Sequence, residues 1–365
     1  TTMPTPVITN TQLGWAFQTS VVENIRGPSQ FLTTLIFGDR EVPVPTESIE
    51  LSYKEADRNV APFVELNSEA IAVPGRSVTF ANVSAPNMKM KRTMEAYQVA
   101  LRRQPGTDVF IRNAQPVLAA RAAAIAEDSE IMVNMAINRI EWMVAQMIAP
   151  TTPVSGYIEL SYQVNERANF RIRIPRSTDM NATLLTTARW NDTSPNIEGD
   201  VFGVKRIFAK WGNWPLATAI LGSSASNAFR SNATIKADLD KRNLDAGRLT
   251  LISQFQDSGA IYLGNVYGVD WWEYSREYVD EDGTSKPFIP ADKAVFLAGG
   301  NAMSDNTIFY GAIPDHDAMD QGLYVGRRFS KAMKTFDPSV YTQIFQTRPL
   351  PMIRRPNGIY ILDVL

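Results

Sequence analysis

The sequence predicts an α+β fold in two parts, and three observations lead to this prediction. Residues from Asn113 to Ile148 carry apolar side chains at helical spacing, while several segments on either side alternate apolar and polar residues as strands do. Near residue 180 the composition shifts toward Trp, Gly, Asn and Ser, which marks a boundary. At 365 residues the chain has room for two domains of about 100–200 residues each.

The helix is the strongest local prediction. Asn113 is a suitable N-cap, Pro116 falls in the first turn, and Pro150 ends the run. A helix of this length is a rod of roughly 50 Å, which suggests a structural spine. The apolar residues expected to share its buried face are Leu118, Ile125, Met132, Met135, Ile140, Met143 and Met147.

The first 30 residues are predicted to form an extended arm. Pro4, Pro6 and Pro28 interrupt this stretch, and its few apolar residues have no helical period. Such an arm cannot bury itself and must lie on another surface. The next segment, Phe31–Phe37, is apolar enough to enter a core.

A long projecting loop is predicted next. The alternating segments at 49–53 and 77–83 have one polar face each, and the residues between them are polar and interrupted by Pro62 and Pro74. A long isolated hairpin is marginal in water and has unpaired edges, so it is expected to need a partner surface. The candidate contact residues are the apolar Phe63, Val64, Leu66 and Ile71 within the loop, and the basic Lys89, Lys91 and Arg92 at its foot, expected in intersubunit salt bridges.

Beyond the spine the pattern predicts a hairpin and then a mixed domain. Tyr157–Val164 and Phe170–Ile174 alternate strongly and form the hairpin, with one wet face. Further helices are predicted at Gly203–Trp211 and Ala225–Asn243, and further strands at Leu249–Phe255, Val266–Tyr274, Ala294–Ala298, Tyr341–Phe345 and Ile359–Leu365.

The composition excludes several kinds of chemistry. Without cysteine the chain has no disulfide, no thiolate zinc site and no cysteine nucleophile, and the single histidine, His316, cannot build a multi-histidine metal site. Its 36 basic and 38 acidic residues give a formal charge of −2, whereas wrapping nucleic acid needs a dense cationic face. No signal peptide or membrane-spanning run is expected. We expect no cofactor and no enzymatic activity.

Four short motifs invite functional interpretations, and each has a simpler structural one. The Asp-His-Asp run at 315–317 would suit a general base, but a surface loop is favoured because no nucleophile can be placed beside it. The acidic run at 280–283 lacks the spacing of a calcium loop and is read as a hairpin turn. The run at 222–226 lacks the second glycine of a nucleophile elbow. Of Trp271 and Trp272, only one could serve as a stacking platform, because adjacent strand residues face opposite sides.

The order of these parts resembles the major capsid protein of tailed bacteriophages, with the Hong Kong 97 type of capsid fold. Three segments in particular are similar to the lambda-type capsid protein E family: residues 237–243, residues 279–300 and residues 347–365. The resemblance covers essentially the whole chain. It implies an N-terminal arm at 1–30 and an E-loop at 46–92. It further implies a peripheral domain from 31–45, 93–180 and 341–365, and an axial domain at 181–340.

By the same resemblance the function is structural. Hexamers and pentamers of the chain would assemble into an icosahedral head around double-stranded DNA, which is held without sequence specificity. Portal, scaffold and decoration proteins are the further partners implied, with no membrane partner. The virion capsid is the implied location, assembled in the host cytoplasm. The alternatives are a soluble hydrolase or sugar-binding module using the Trp-rich second domain, and an interaction protein of the cytosol.

Overall fold

The computed structural model of the protein describes residues 14–46, 48–54, 78–95, 115–165, 168–193, 195–236, 258–320, 323–335 and 340–365. Its helices include α1 (Trp15–Asn24), α2 (Phe31–Phe37), α3 (Gln115–Ile148), α4 (Ile197–Gly212), α5 (Ser223–Ser231) and α6 (His316–Met319). The strands of the first half are β1 (Glu41–Val44), β2 (Ser48–Lys54), β3 (Val78–Ser84), β4 (Met88–Glu95), β5 (Tyr157–Asn165), β6 (Ala168–Pro175) and β7 (Asn181–Thr183). Those of the second half are β8 (Leu216–Leu221), β9 (Ala260–Val266), β10 (Val269–Tyr274), β11 (Glu277–Val279), β12 (Ser285–Pro287), β13 (Lys293–Ala298), β14 (Thr307–Gly311), β15 (Phe329–Thr335), β16 (Val340–Thr347), β17 (Pro349–Met352) and β18 (Ile359–Asp363).

A six-stranded mixed sheet, in the order β7-β18-β13-β8-β10-β9, separates two hydrophobic cores. On one face Trp271 packs with α4 and α5, including Phe229 at a ring distance of 4.3 Å. On the other face Trp272 packs with Phe31 of α2 and with the core around the end of α3. Adjacent residues of a strand point to opposite sides, so this one pair of residues anchors both cores.

The core on the Trp272 side of the sheet, the main core, is formed largely by helix α3 and the β5–β6 hairpin. The C-terminal part of α3 places Met143, Val144 and Met147 against the inward residues of the hairpin, and all three are at most 2% exposed. The outward face of the hairpin is charged, and Glu159 there pairs with Arg173 at 2.6 Å. This arrangement confirms the predicted hairpin with one solvent-exposed face.

The N-terminal part of α3 packs on a smaller sheet with the order β15-β16-β4. Met132 and Val133 contact Phe345 of β16. A buried hydrogen bond joins the same elements, because the Gln343 side-chain amide donates to the Ser129 hydroxyl at 2.7 Å. The helix therefore bridges the smaller sheet and the main core.

Glu141 is wholly buried on α3 and accepts hydrogen bonds from two other elements. The backbone N–H groups of Leu32 and Thr33 donate to it at 2.8 and 2.9 Å, and the Thr33 hydroxyl donates at 2.6 Å. These N–H groups lie in the first turn of α2, where no intrahelical acceptor exists and negative charge is favoured. The Tyr274 hydroxyl of β10 donates at 2.9 Å. Burial, and then the Glu141 charge, raises the pKa of Tyr274, so the phenol keeps the proton that it donates.

Two of the sequence expectations require correction in this region. Residues 15–24 form a helix rather than part of an extended arm. The buried side of that helix is partly polar, with Gln18 and Thr19 beside Val22, so a search for apolar periodicity does not detect it. Met135 was expected on the buried face of α3, but it is 55% exposed. Three steps of 100° place Met135 about 60° from Met132, on the side away from the buried Val133 and Ala136, and therefore outside the buried face.

Other predicted elements need their limits redrawn. The predicted strand from residue 266 is divided by a turn at Tyr267-Gly268, which joins β10 to β9, a strand that the sequence did not predict. The helix predicted to begin at Ala225 begins two residues earlier, and its first segment ends at Ser231. The helix predicted from Gly203 begins at Ile197, capped by the Asn196 side chain. The predicted strand at 249–255 lies outside the described residues.

Met132→Asp is expected to give insoluble or unfolded subunits. The change buries an unpaired carboxylate against Phe345, which costs several kcal/mol or forces protonation. Met135→Asp on the same helix is the matched control and is expected to remain soluble, because that side chain faces solvent. Soluble expression and circular dichroism of both variants provide the measurement, and equal behaviour would contradict the assigned face.

Glu141→Gln is expected to lower the free energy of unfolding by about 3 kcal/mol. The amide offers fewer acceptor positions, and its NH₂ group would face N–H donors. Urea unfolding of subunits kept unassembled measures the change, with Glu130→Gln, exposed on the same helix, as a control expected within about 0.5 kcal/mol of the parent. A Glu141→Gln variant as stable as that control would show that the buried charge is not required.

Candidate subunit-contact surface

Strands β2 and β3 form the base of the predicted projecting loop. They pair antiparallel from Ser48 opposite Ser84 to Lys54 opposite Val78, as the alternation predicted. Ile49 and Tyr53 are 3% and 5% exposed and belong to the main core, so this base is fixed to its own subunit. The four apolar contact candidates Phe63, Val64, Leu66 and Ile71 lie outside the described residues.

Arg348 holds the end of this hairpin in place. Its guanidinium is buried and donates to the carbonyl of Ala312 at 2.7 Å, to the carbonyl of Ala85 at 3.1 Å and to the Ser84 hydroxyl at 3.2 Å. A planar group with several N–H donors can satisfy acceptors from two chain segments at once. Although this residue lies in one of the three segments that resemble the capsid family, no sequence pattern indicated a role for it.

The basic cluster at the foot of the loop lies on β4, where its members face opposite sides. Lys89 and Lys91 are exposed and lie opposite Gln346 and Ile344 of β16, on the sheet face turned away from α3. Arg92 faces α3 and pairs with Asp128 of that helix at 2.8 Å. Arg92 therefore has an acidic partner in its own subunit, and its part in an intersubunit salt bridge stays a prediction.

The two edges of the β15-β16-β4 sheet differ. At the β15 edge the Thr19 hydroxyl of α1 both donates to the Ser330 carbonyl and accepts from the Ser330 N–H, each at 3.0 Å. Glu23 of α1 accepts from the backbone N–H groups of Arg327 and Arg328, at 3.0 and 3.2 Å. At the β4 edge no further strand pairs among the described residues. Among the described residues, β4 is therefore a free edge of this sheet, and it carries the two exposed lysines.

The other motifs have structural roles. Asp315 caps α6 by accepting from the Asp317 N–H, and both carboxylates pair with Lys331. The run containing His316 therefore begins a short helix at the surface, where a surface loop was favoured. The acidic run at 280–283 forms the β11–β12 turn, with Lys286 paired to Asp280 at 2.5 Å. The run at 222–226 forms the start of α5, with Gly222 as its N-cap.

The structure does not support a stacking platform at the two tryptophans. Trp271 and Trp272 are 0% and 4% exposed, so both are core residues, whereas the sequence left one of them available. Within the described ranges no cluster of His, Asp and Glu could hold a metal ion, and no helix could cross a bilayer. The best-defined internal cavity in this part of the chain, between α3, β5–β6 and β17, has a volume of about 10 Å³ and an apolar lining. That is at the lower limit for one water molecule.

Comparison with known proteins identifies what this architecture belongs to. The family described as phage major capsid protein E matches residues 15–364. The chain belongs to this family. It is therefore a major capsid protein of a tailed phage, a structural component of the virion capsid that associates with copies of itself, and not an enzyme.

Individual relatives agree with this assignment over nearly their whole length. The major capsid protein of Escherichia phage lambda is 24% identical over 325 residues, which is 88% of this chain and 90% of the relative. The major capsid protein of Enterobacteria phage P21 is 23% identical over 335 residues, or 90% and 92% of the two chains. Neither the hydrolase nor the sugar-binding alternative receives support.

Solved structures confirm the fold. A protein assigned as the capsid protein of a prophage in E. coli CFT073 has a TM-score of 0.66 at 15% identity, covering 95% of this chain and 97% of its own. A phage-related protein of Bordetella bronchiseptica RB50 has a TM-score of 0.52 at 10% identity, with 95% and 96% covered. The fold of the chain is thus the predicted α+β capsid fold of the Hong Kong 97 type.

Proposed function

We propose that the chain assembles as hexamers and pentamers into the icosahedral head of a tailed bacteriophage, enclosing double-stranded DNA. The observation that carries this proposal is the family match from residue 15 to residue 364, which leaves no additional domain within that range. Assembly takes place in the host cytoplasm, with portal, scaffold and decoration proteins as the further partners.

The formal charge of −2 supports a capsid shell that encloses DNA without binding it tightly. Specific or tight DNA binding uses many cationic contacts to phosphates, and their strength depends on the number of charges that are neutralised. In this chain the 36 basic residues are balanced by 38 acidic residues. Many described basic side chains already have acidic partners within the subunit, as Arg92 and Lys331 do. The contact with DNA is therefore independent of its sequence.

The proposed division of labour follows the order of the parts. Residues 1–30 act as the N-terminal arm and 46–92 as the E-loop, while 31–45, 93–180 and 341–365 form the peripheral domain and 181–340 the axial domain. Three strands pair across this division. β18 pairs with β13 and β7 in the six-stranded sheet, β14 pairs with β1 and β17, and β15 pairs with β16. These pairings support a rigid junction between the two domains.

The E-loop is the proposed contact with a neighbouring subunit. Its base is fixed by the core and by Arg348, whereas the sequence from Lys54 to Gly75 is too polar to form a core of its own. Apolar anchors within a polar segment suit docking on a partner, and closed symmetry repeats each contact around a ring. Phe63, Val64, Leu66 and Ile71 are the proposed anchors.

Replacing residues 57–73 by an Asn-Gly turn is expected to leave folding intact and to prevent shell formation. Because residues 55–56 and 74–77 are kept beside the Asn-Gly pair, β2 and β3 stay joined by a short connection, while the docking segment is lost. Negative-stain electron microscopy and sedimentation of the parent chain should show closed shells, and the variant should give soluble subunits with a near-native thermal midpoint.

Three other outcomes would be decisive in this experiment. If the parent chain remained a 40.6 kDa monomer under all conditions, the proposed function would be wrong. Normal shells from the shortened variant would contradict the role of the E-loop. Global unfolding of the variant would assign residues 57–73 to the core.

Lys89→Glu combined with Lys91→Glu is expected to impair assembly without affecting folding. Both lysines are exposed at the free edge of β4, where we propose that they face acidic groups of a neighbour. We expect the protein concentration needed for shells to rise at least about tenfold, equivalent to about 1.4 kcal/mol. Arg206→Glu with Lys236→Glu changes the net charge equally at other exposed positions and serves as the control. Equal effects of the two double variants would show that only net charge matters.

A further inference from the structure

The loop that follows β7 presents a leucine to solvent. The Leu185 side chain is 66% exposed, although a leucine gains free energy by burial. The surrounding residues from Ala182 to Ala188 include no ionisable side chain. Strand β7 itself is the last strand on its side of the six-stranded sheet, among the described residues. Residues 182–188 therefore form an uncharged stretch at the rim of the sheet, and the first charged side chain after them is Arg189.

Both ends of this loop are fixed to the segment at residues 363–364. The Leu184 N–H donates to the Asp363 carbonyl and the Trp190 N–H donates to the Val364 carbonyl, each at 2.9 Å. Trp190 is 2% exposed, and its indole N–H donates to the Asp200 carboxylate at 2.9 Å. A short loop held at both ends has little conformational freedom to lose on binding.

The backbone at Thr186 is strained. Its φ of 49° lies in the left-handed region, which β-branched residues rarely adopt. Two turn hydrogen bonds maintain this conformation, from the Ala188 N–H to the Leu185 carbonyl and from the Arg189 N–H to the Thr186 carbonyl, each at 3.2 Å. Backbone strain of this kind is retained where the surrounding structure imposes it, and it occurs preferentially at functional sites.

We propose that Leu185 is a rigid subunit contact, which inserts into an apolar surface of a neighbouring copy of this chain. The inference rests on the proposed function, because a shell covers the sides of each subunit with copies of itself. A neighbour of the same sequence is the occupant that self-association supplies at every position of a shell. An apolar side chain within the uncharged stretch 182–188 can be buried without removing a neighbouring charge of that stretch from water. The conformation at Thr186 fixes the direction of the Leu185 side chain before the neighbouring copy binds.

Leu185→Ser tests the contact directly. The side chain is exposed, so the thermal midpoint of the subunit should stay within about 2 °C of the parent value. The protein concentration required for shells should rise at least about tenfold, as expected when a buried leucine contact is lost. Val279→Ser is the matched control. Val279 is 73% exposed on β11, but the acidic run at 280–282 follows it directly, so burial against an apolar surface would remove charges from water, and this variant should assemble as the parent does.

The conformation of the loop is tested by two changes at one position. Thr186→Gly permits the same φ but loosens the loop, whereas Thr186→Asn tolerates the left-handed region and keeps the loop stiffer. We expect weaker assembly from the glycine variant, parental assembly from the asparagine variant, and thermal midpoints within about 2 °C for both.

Several results would overturn the proposal. If Leu185→Ser formed shells at the same concentration as Val279→Ser, Leu185 would not contact a neighbouring copy, and a different partner would have to use the loop. If both Thr186 variants assembled equally, the strained backbone would have no role in the contact. Failure of the parent chain to form shells would instead contradict the proposed function, so the two hypotheses fail separately.

Discussion

The buried carboxylate of Glu141 joins three parts of the subunit at one point. It lies on the spine helix, receives the N-terminus of α2 and accepts the hydroxyl of Tyr274 from the six-stranded sheet. A buried charge is tolerable only when its acceptor positions are satisfied, so these elements must arrive together in one geometry. Trp272 and Phe31 pack near this point, so the elements that Glu141 joins also fix their relative positions. The arrangement affects both cores, because they lie on the two faces of the same sheet.

Much of this fold could be predicted from the sequence wherever apolar residues follow a regular period. The spine, the β5–β6 hairpin and the β2–β3 base have that property, and the structure confirms them. Helix α1 could not be found in this way, since it buries Gln18 and Thr19, which bind polar groups of other elements. Glu141 could not be found either, because a glutamate on a helix is normally a solvated residue. Only its position between Ile140 and Met143 in the apolar stripe hinted at burial.

The candidate site was less predictable, because a sequence does not show which charges already have partners. Arg92 and its neighbour Lys91 look equivalent in the sequence, yet the alternation of the strand sends one toward Asp128 and the other toward solvent. The same alternation buries both tryptophans, on opposite faces of one sheet. Pairing across a fold is decided by contacts between distant residues, and the local patterns of a sequence do not show which residues meet.

The position of β18 between β7 and β13 has a consequence for biosynthesis. Residues 359–363 pair with strands that are made much earlier, at residues 181–183 and 293–298. Until the ribosome has produced residue 363, β13 has an open edge and β7 has no partner to hold it in the sheet. Such distant pairing is slow to form, and open edges favour aggregation. A nascent chain therefore lacks a complete six-stranded sheet, and we expect oligomer formation to begin only after translation has passed this strand.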